Sequence, residues 1–153
     1  MPTAIVQKST FSPLEYRNGK IYVSVTMDGQ TRSEYFFDTG ASLFPLITTQ
    51  EEWERLTRRR FDDPRNHRYT LPSWNDTWLE TVGAPMTGRL KMGPVSSQRP
   101  MVFFINDGRF RIDQMPKTRG IIGNALLVRE YAIVIDLPGR RMGFIRSADL
   151  VPN

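Results

Sequence analysis

The chain has 153 residues, no cysteine, one histidine, 39% hydrophobic residues and a formal net charge of +5. That length and apolar content suit one domain with a core of its own and count against disorder. The lack of cysteine excludes disulfides, thiol nucleophiles and thiolate metal sites. The lone His67 leaves no base for a conventional serine or cysteine mechanism unless it meets a hydroxyl, and no G-x-S-x-G pattern supports one.

In chain order, the N-terminal "MPTAIVQKST" has no apolar h-region and no cleavage pattern, so no signal peptide is read there. "KIYVSVTM", Lys20 to Met27, alternates apolar and polar residues, with Ile21, Val23 and Val25 on one face of a strand. Asp28-Gly29 is a tight-hairpin pair, and the return strand rises from Thr31 into "EYFFDTG". Asp38 therefore lies where an apolar strand ends and a turn begins, and Gly40 gives that turn its freedom.

Thr49 and Glu52 have capping-box spacing at the start of a helix whose buried face carries Trp53 and Leu56. The basic run Arg55 to Phe61 reads as the solvated end of that helix, with cations near its negative dipole end, in preference to a nucleic-acid surface. Phe61 to Trp78, rich in Pro, Asn, Asp and Arg, reads as a long loop. Within it, Trp74 and Trp78 form a contact surface or cover the core, and Asn75-Asp76-Thr77 matches the N-glycosylation triplet.

"TWLETV" and "TGRLKM" read as strands joined by a turn at Gly83 to Pro85, and "MVFFIN" as a buried strand in which at least one of Phe103 and Phe104 packs the core, in preference to both lining a substrate pocket. "RGIIGNALLVREYAIVIDLPGRRMGFI" predicts a short strand, a short helix and a hairpin turning at Pro138-Gly139, with Asp136 as a turn former. Strands dominate, so the fold class is all-β. No run reaches the length of a membrane-spanning helix.

"FFDTGAS" (Phe36 to Ser42) resembles the active-site motif of aspartic proteases, and "GIIGNALL" (Gly120 to Leu127) resembles the second signature of the same clan. "YAIVIDLPGRRMGFI" is similar to the last hairpin of pepsin-type lobes. A single Asp-Thr-Gly in a chain of this size points to the retropepsin-like arrangement. The resemblance implies one lobe over residues 1–153, a closed barrel-like sheet with one or two short helices, and pairing with a second copy.

It further implies an aspartic endopeptidase, needing neither cofactor nor metal, that acts on peptide or protein substrates. Asp38 would be the catalytic acid and base, and Thr39 would hydrogen-bond across the dimer axis. Gly40 would bring its N–H to the carboxylate, and Ile121, Ile122 and Gly123 would support the loop. Ala41 stands where pepsin-type sites often carry a hydroxyl, so the dyad is expected to keep its proton to higher pH than in pepsin. Val82, Gly83, Ala84 and Pro85 are the candidate tip of a substrate-covering flap, and the C-terminal "RRMGFIRSADLVPN" is expected at the dimer interface. The competing reading is a module that keeps this fold for binding or regulation without productive catalysis. Compartment and natural substrate are not legible in the sequence.

Overall fold

A computed structural model describes residues 3–72, 77–127 and 130–150. Trp74, Asn75, Asp76 and the last three residues of the C-terminal segment lie outside these, so the expectations placed on them are not addressed by the structure. Helix α1 (Thr3–Lys8) leads into strands β1 (Thr10–Arg17), β2 (Lys20–Met27), β3 (Gln30–Asp38) and β4 (Leu46–Thr48). Helix α2 (Gln50–Thr57) follows, then β5 (His67–Pro72), β6 (Trp78–Pro85), β7 (Arg89–Met92), β8 (Val95–Gln98) and β9 (Met101–Ile105). The chain closes with β10 (Gly120–Gly123), β11 (Tyr131–Asp136) and β12 (Arg141–Arg146).

The strands form one sheet in the order β11-β12-β1-β2-β3-β10-β4-β9-β6-β5, with the β7–β8 hairpin branching from β2. The all-β class and the two short α-helices match the sequence reading. The sheet is not closed: β11 and β5 end its path, so the expected barrel closure is absent.

The first two hairpins turn on Asn18-Gly19 and Asp28-Gly29, all four residues at positive φ. Paired left-handed residues match the twist of the flanking strands, which is why Asn-Gly and Asp-Gly occur there. Between them the β2–β3 register slips by one residue around Val23 and Val25, with Glu34 at φ 73°. Such an extra residue changes which side chains of a strand face inward. After it, Tyr35 and Phe37 point into the main core, and Phe36 joins a second cluster on the opposite face.

The same division runs across β4, β10 and β9. Leu46, Ile122 and Phe104 join the main core, and Ile47, Ile121 and Phe103 join the second cluster. Strands covered on both faces read as unbroken apolar runs, as "YFF", "GIIG" and "MVFFI" do.

Two expectations are corrected here. Residues 61–78 are not all loop, because His67–Pro72 is a strand paired along its whole length with β6. Most of its residues are exposed, so it shows no apolar period to read; the backbone ladder to β6, the Arg68–Glu80 pair and the Tyr69 ring beside Phe103 hold it. Gly83 to Pro85 is not a turn but the buried end of β6, paired with β9. Gly83 is required because a Cβ there would overlap the Phe103 ring.

Helix α2 begins as the sequence predicts: the Glu52 N–H donates to Thr49 Oγ1 at 3.3 Å. Trp53 and Leu56 are buried, and the indole Nε1 donates to the Val102 carbonyl at 2.9 Å, pinning the helix to β9. Arg58 ends the helix in the left-handed conformation. Arg59 then donates to the Arg65 carbonyl, and Arg60 faces Asp62 at 3.6 Å.

Arg55 donates twice to Glu52, at 2.8 Å from Nε and from an amino group, and reaches Asp28 at 3.2 Å, tying the helix to the β2–β3 turn. Those bonds hold the Glu52 carboxyl below the usual carboxylate range despite its burial. A carboxyl depressed by folding stabilises the native state above its unfolded pKa, and the contribution is lost as pH falls through the folded value. Glu52→Gln is therefore expected to lower the melting temperature by a few degrees at pH 7. The gap to the parent should narrow toward pH 3. Thermal melts of both chains at the two pH values check this, and a gap independent of pH would contradict it.

Candidate active site

Three neighbouring strands build the site. β10 lies between β3, to which it runs parallel, and β4, to which it runs antiparallel, and Gly123 stands opposite Asp38. The connection from β3 to β4, residues 39–45, must cross the end of β10. It does so as a run of tight turns: Ala41 N–H donates to the Asp38 carbonyl, Ser42 N–H to Gly40 and Phe44 N–H to Ala41, at 3.2, 2.9 and 3.4 Å. The Gly123 N–H donates to the Pro45 carbonyl at 3.3 Å and ties the loop's far end to β10.

Asp38 ends β3 half-buried, and its Oδ1 accepts the Gly40 N–H at 2.8 Å. A Cβ on Gly40 would sit 3.2 Å from that oxygen, so glycine leaves the carboxylate room. Ile121, Ile122 and Gly123 lie in β10, directly beside β3. Ile122 packs into the main core, Ile121 into the second cluster, and a Cβ on Gly123 would overlap the Ala41 and Phe44 carbonyl oxygens. Gly123 has φ −104°, a value any residue adopts, so what it supplies is space.

Ala41 is half-buried in the second cluster, its methyl turned toward Gly123. Thr39 is exposed at the rim and Leu43 beside it is 68% exposed.

The proposed flap tip is not at this rim. Val82 and Ala84 are fully buried in β6, between β5 and β9. A strand paired on both sides cannot act as a mobile tip. Among the described residues two hairpins fall between the two motifs, β5–β6 and β7–β8; Trp78, at the turn end of the first, is 60% exposed.

Several residues of the site region had no sequence assignment. Phe44 meets Phe103 edge-on at 4.8 Å, Phe103 lies 6.2 Å from Tyr69, and Tyr69 stacks on His67 at 6.3 Å. This row of rings leads from the active-site loop across β9 to β5. Asn124, directly after the second motif, donates from Nδ2 to the Thr39 carbonyl at 2.6 Å. Its signal in the sequence was its adjacency to Gly123. Asp136 is a turn former as expected, accepting the Gly139 N–H at 3.0 Å and the Arg141 Nε at 2.7 Å. A cavity of about 490 Å³ lies between the start of α2 and residues 106–113, and Asp38 does not line it.

The packing of the loop on Gly123 makes a stability prediction. Gly123→Ala is expected to cost about 1–3 kcal/mol, the usual penalty of overpacking, because the carbonyls it meets belong to backbone and cannot turn aside. Denaturant unfolding measures it; a variant as stable as the parent would show that the loop does not rest on β10.

No family model matches the chain, and no curated protein matches it. Among solved structures it is similar to a retropepsin-like aspartic protease from Rickettsia conorii, with a TM-score of 0.56 and 15% sequence identity. The likeness covers 90% of this chain and 94% of that one. Strand order, the loop crossing β10 and this likeness lead to one conclusion: the chain has the retropepsin-like aspartic-protease fold.

Proposed function

We propose that the chain is an aspartic endopeptidase, active as a two-fold homodimer, that cleaves extended peptides. The observation that carries this reading is the Asp38 carboxylate, oriented by the Gly40 N–H at the rim of a loop that is itself fixed on β10. Hydrolysis by carboxyl groups needs two of them sharing one proton, and each chain carries one Asp-Thr-Gly. A two-fold axis beside the loop supplies the second from an identical copy.

The ionised carboxylate of the pair takes a proton from water, whose oxygen attacks the peptide carbonyl. The protonated carboxyl gives its proton to the carbonyl oxygen. On collapse of the gem-diol intermediate the C–N bond breaks, the amine leaves with a proton from the protonated carboxyl, and one gem-diol hydroxyl gives its proton to the ionised carboxylate, which leaves the dyad sharing one proton again. In this reading Thr39, which is exposed in the loop, hydrogen-bonds across the axis.

The covering element falls in the chain between the two motifs, and the peptide binds beneath it as a strand. β12, expected to add a strand to the interface, already pairs with β1 and β11. The contact between copies therefore falls on the active-site loops and on the chain beyond Arg146.

Asp38→Asn is expected to abolish cleavage of a peptide library while fold and dimer persist, because an amide neither accepts the water proton nor shares one. Retained turnover would remove Asp38 from the mechanism. A parent chain that cleaves as a monomer in sedimentation-matched assays would remove the shared dyad.

Ala41→Ser tests the surroundings of the pair. A hydroxyl donor beside the carboxylates favours their ionised form. The bell-shaped pH–rate profile, expected in the weakly acidic range for the parent, should then move toward acid. A profile that overlays the parent, or moves toward alkali, would show that position 41 does not face the dyad.

A further inference from the structure

We infer that Asn124 is a positioning residue for the active-site loop, acting as an amide clamp on the Thr39 carbonyl; the inference rests on the reading of Asp38 given above. Within the loop, the carbonyls of Asp38, Gly40 and Ala41 each accept an N–H from the loop itself. The Thr39 carbonyl is held differently, by the Asn124 Nδ2 at 2.6 Å across 85 positions of sequence. The donor stands on a firm base. Asn124 follows Gly123, the residue opposite Asp38, and opens a short 3-10 turn in which its own carbonyl accepts the Leu127 N–H at 2.8 Å. Leu127 is buried in the main core.

The peptide plane between Thr39 and Gly40 carries both ends of the arrangement. Its carbonyl oxygen is bound by Asn124, and its N–H is the donor to Asp38 Oδ1 at 2.8 Å. A peptide group is rigid, so fixing the oxygen fixes the direction of the N–H. Asn124 thereby sets the carboxylate's orientation without touching it. The clamp requires a donor, since the Thr39 oxygen can only accept.

This requirement gives the clamp a signature that simple loss of packing lacks. In Asn124→Asp the side chain keeps its shape. Ionised, it sets a carboxylate against the Thr39 carbonyl and releases the plane; protonated, its O–H donates and the clamp is restored.

Two readouts test the inference. The first is amide hydrogen exchange at Gly40 and Ala41, measured on the intact chain without reference to activity. Asn124→Ala is expected to raise exchange at Gly40 about fivefold or more at every pH, the loss of one net hydrogen bond. Asn124→Asp should raise it at pH 7 and return it toward the parent near pH 4.

The second is peptidase activity. The ratio of Asn124→Asp to parent kcat/KM should rise as pH falls from 7 to 4, and the Asn124→Ala ratio should stay flat. Parent-like exchange in both variants, or identical pH dependence of the two, would overturn the clamp. If the parent cleaves no peptide, the exchange data still decide the role of Asn124, and the protease reading fails separately. Unfolding midpoints of both variants show whether they fold; should Asn124→Ala unfold, the pH contrast of the isosteric Asn124→Asp carries the decision.

Discussion

The structure depends on a steric constraint at Gly123. β3 and β4 are consecutive along the chain, yet β10 is inserted between them, and the connection has to pass over the end of the inserted strand. It passes so closely that two of its carbonyl oxygens occupy the space of a side chain at position 123. Strand insertion and loop shape are therefore one feature. β10 supplies the floor, the loop is moulded to it, and Asp38 is placed at the junction. Without β10 beneath it, the turn after Asp38 would be an ordinary strand-end turn.

The sidedness of the sheet follows from a smaller irregularity. Side chains on a strand alternate strictly, so one added residue moves every later side chain to the other face. The slip at Glu34 comes four residues before Asp38, and its position decides that Phe37 anchors the strand in the main core. Phe36 goes to the opposite face, where Ala41, Phe44 and Phe103 gather. The site thus has an apolar layer beneath its loop as well as a core behind it. Rigidity at the carboxylate comes from both, since close-packed neighbours on two faces leave the strand end little freedom.

The charge distribution is local. Arg109 pairs with Asp107, Arg111 with Asp113 and Arg65 with Asp63, each two residues apart and exposed. Such pairs add little to global stability, but they stiffen the segments that carry them. The segment between β9 and β10 has two of them, and Arg109 also donates to the Trp78 carbonyl at the turn end of the β5–β6 hairpin. A network that joins distant elements, Arg32-Glu52-Arg55-Asp28, lies beside α2.

By itself the sequence determined what local chemistry decides. Period-two alternation placed β2 over Lys20–Met27, the Asp-Gly pair placed its turn, and the capping box placed α2, because each of these is settled within a few residues. The turn after Asp38 and the close approach at Gly123 were legible for a related reason: each lies in a short motif whose glycine leaves room that a side chain would fill. Tertiary structure alone decided the rest. β1, broken in pattern by Pro13, and the polar β5 are strands because neighbours offer them hydrogen-bond partners, and such pairing leaves no hydrophobic period to read. Gly83 looked like a turn residue, since a glycine's sequence does not say whether it serves a bend or a ring pressed against it. The contact of Asn124 with Thr39 spans most of the chain and exists only because β10 lies beside β3; no local pattern encodes a bond made between two loops that the sheet brings together.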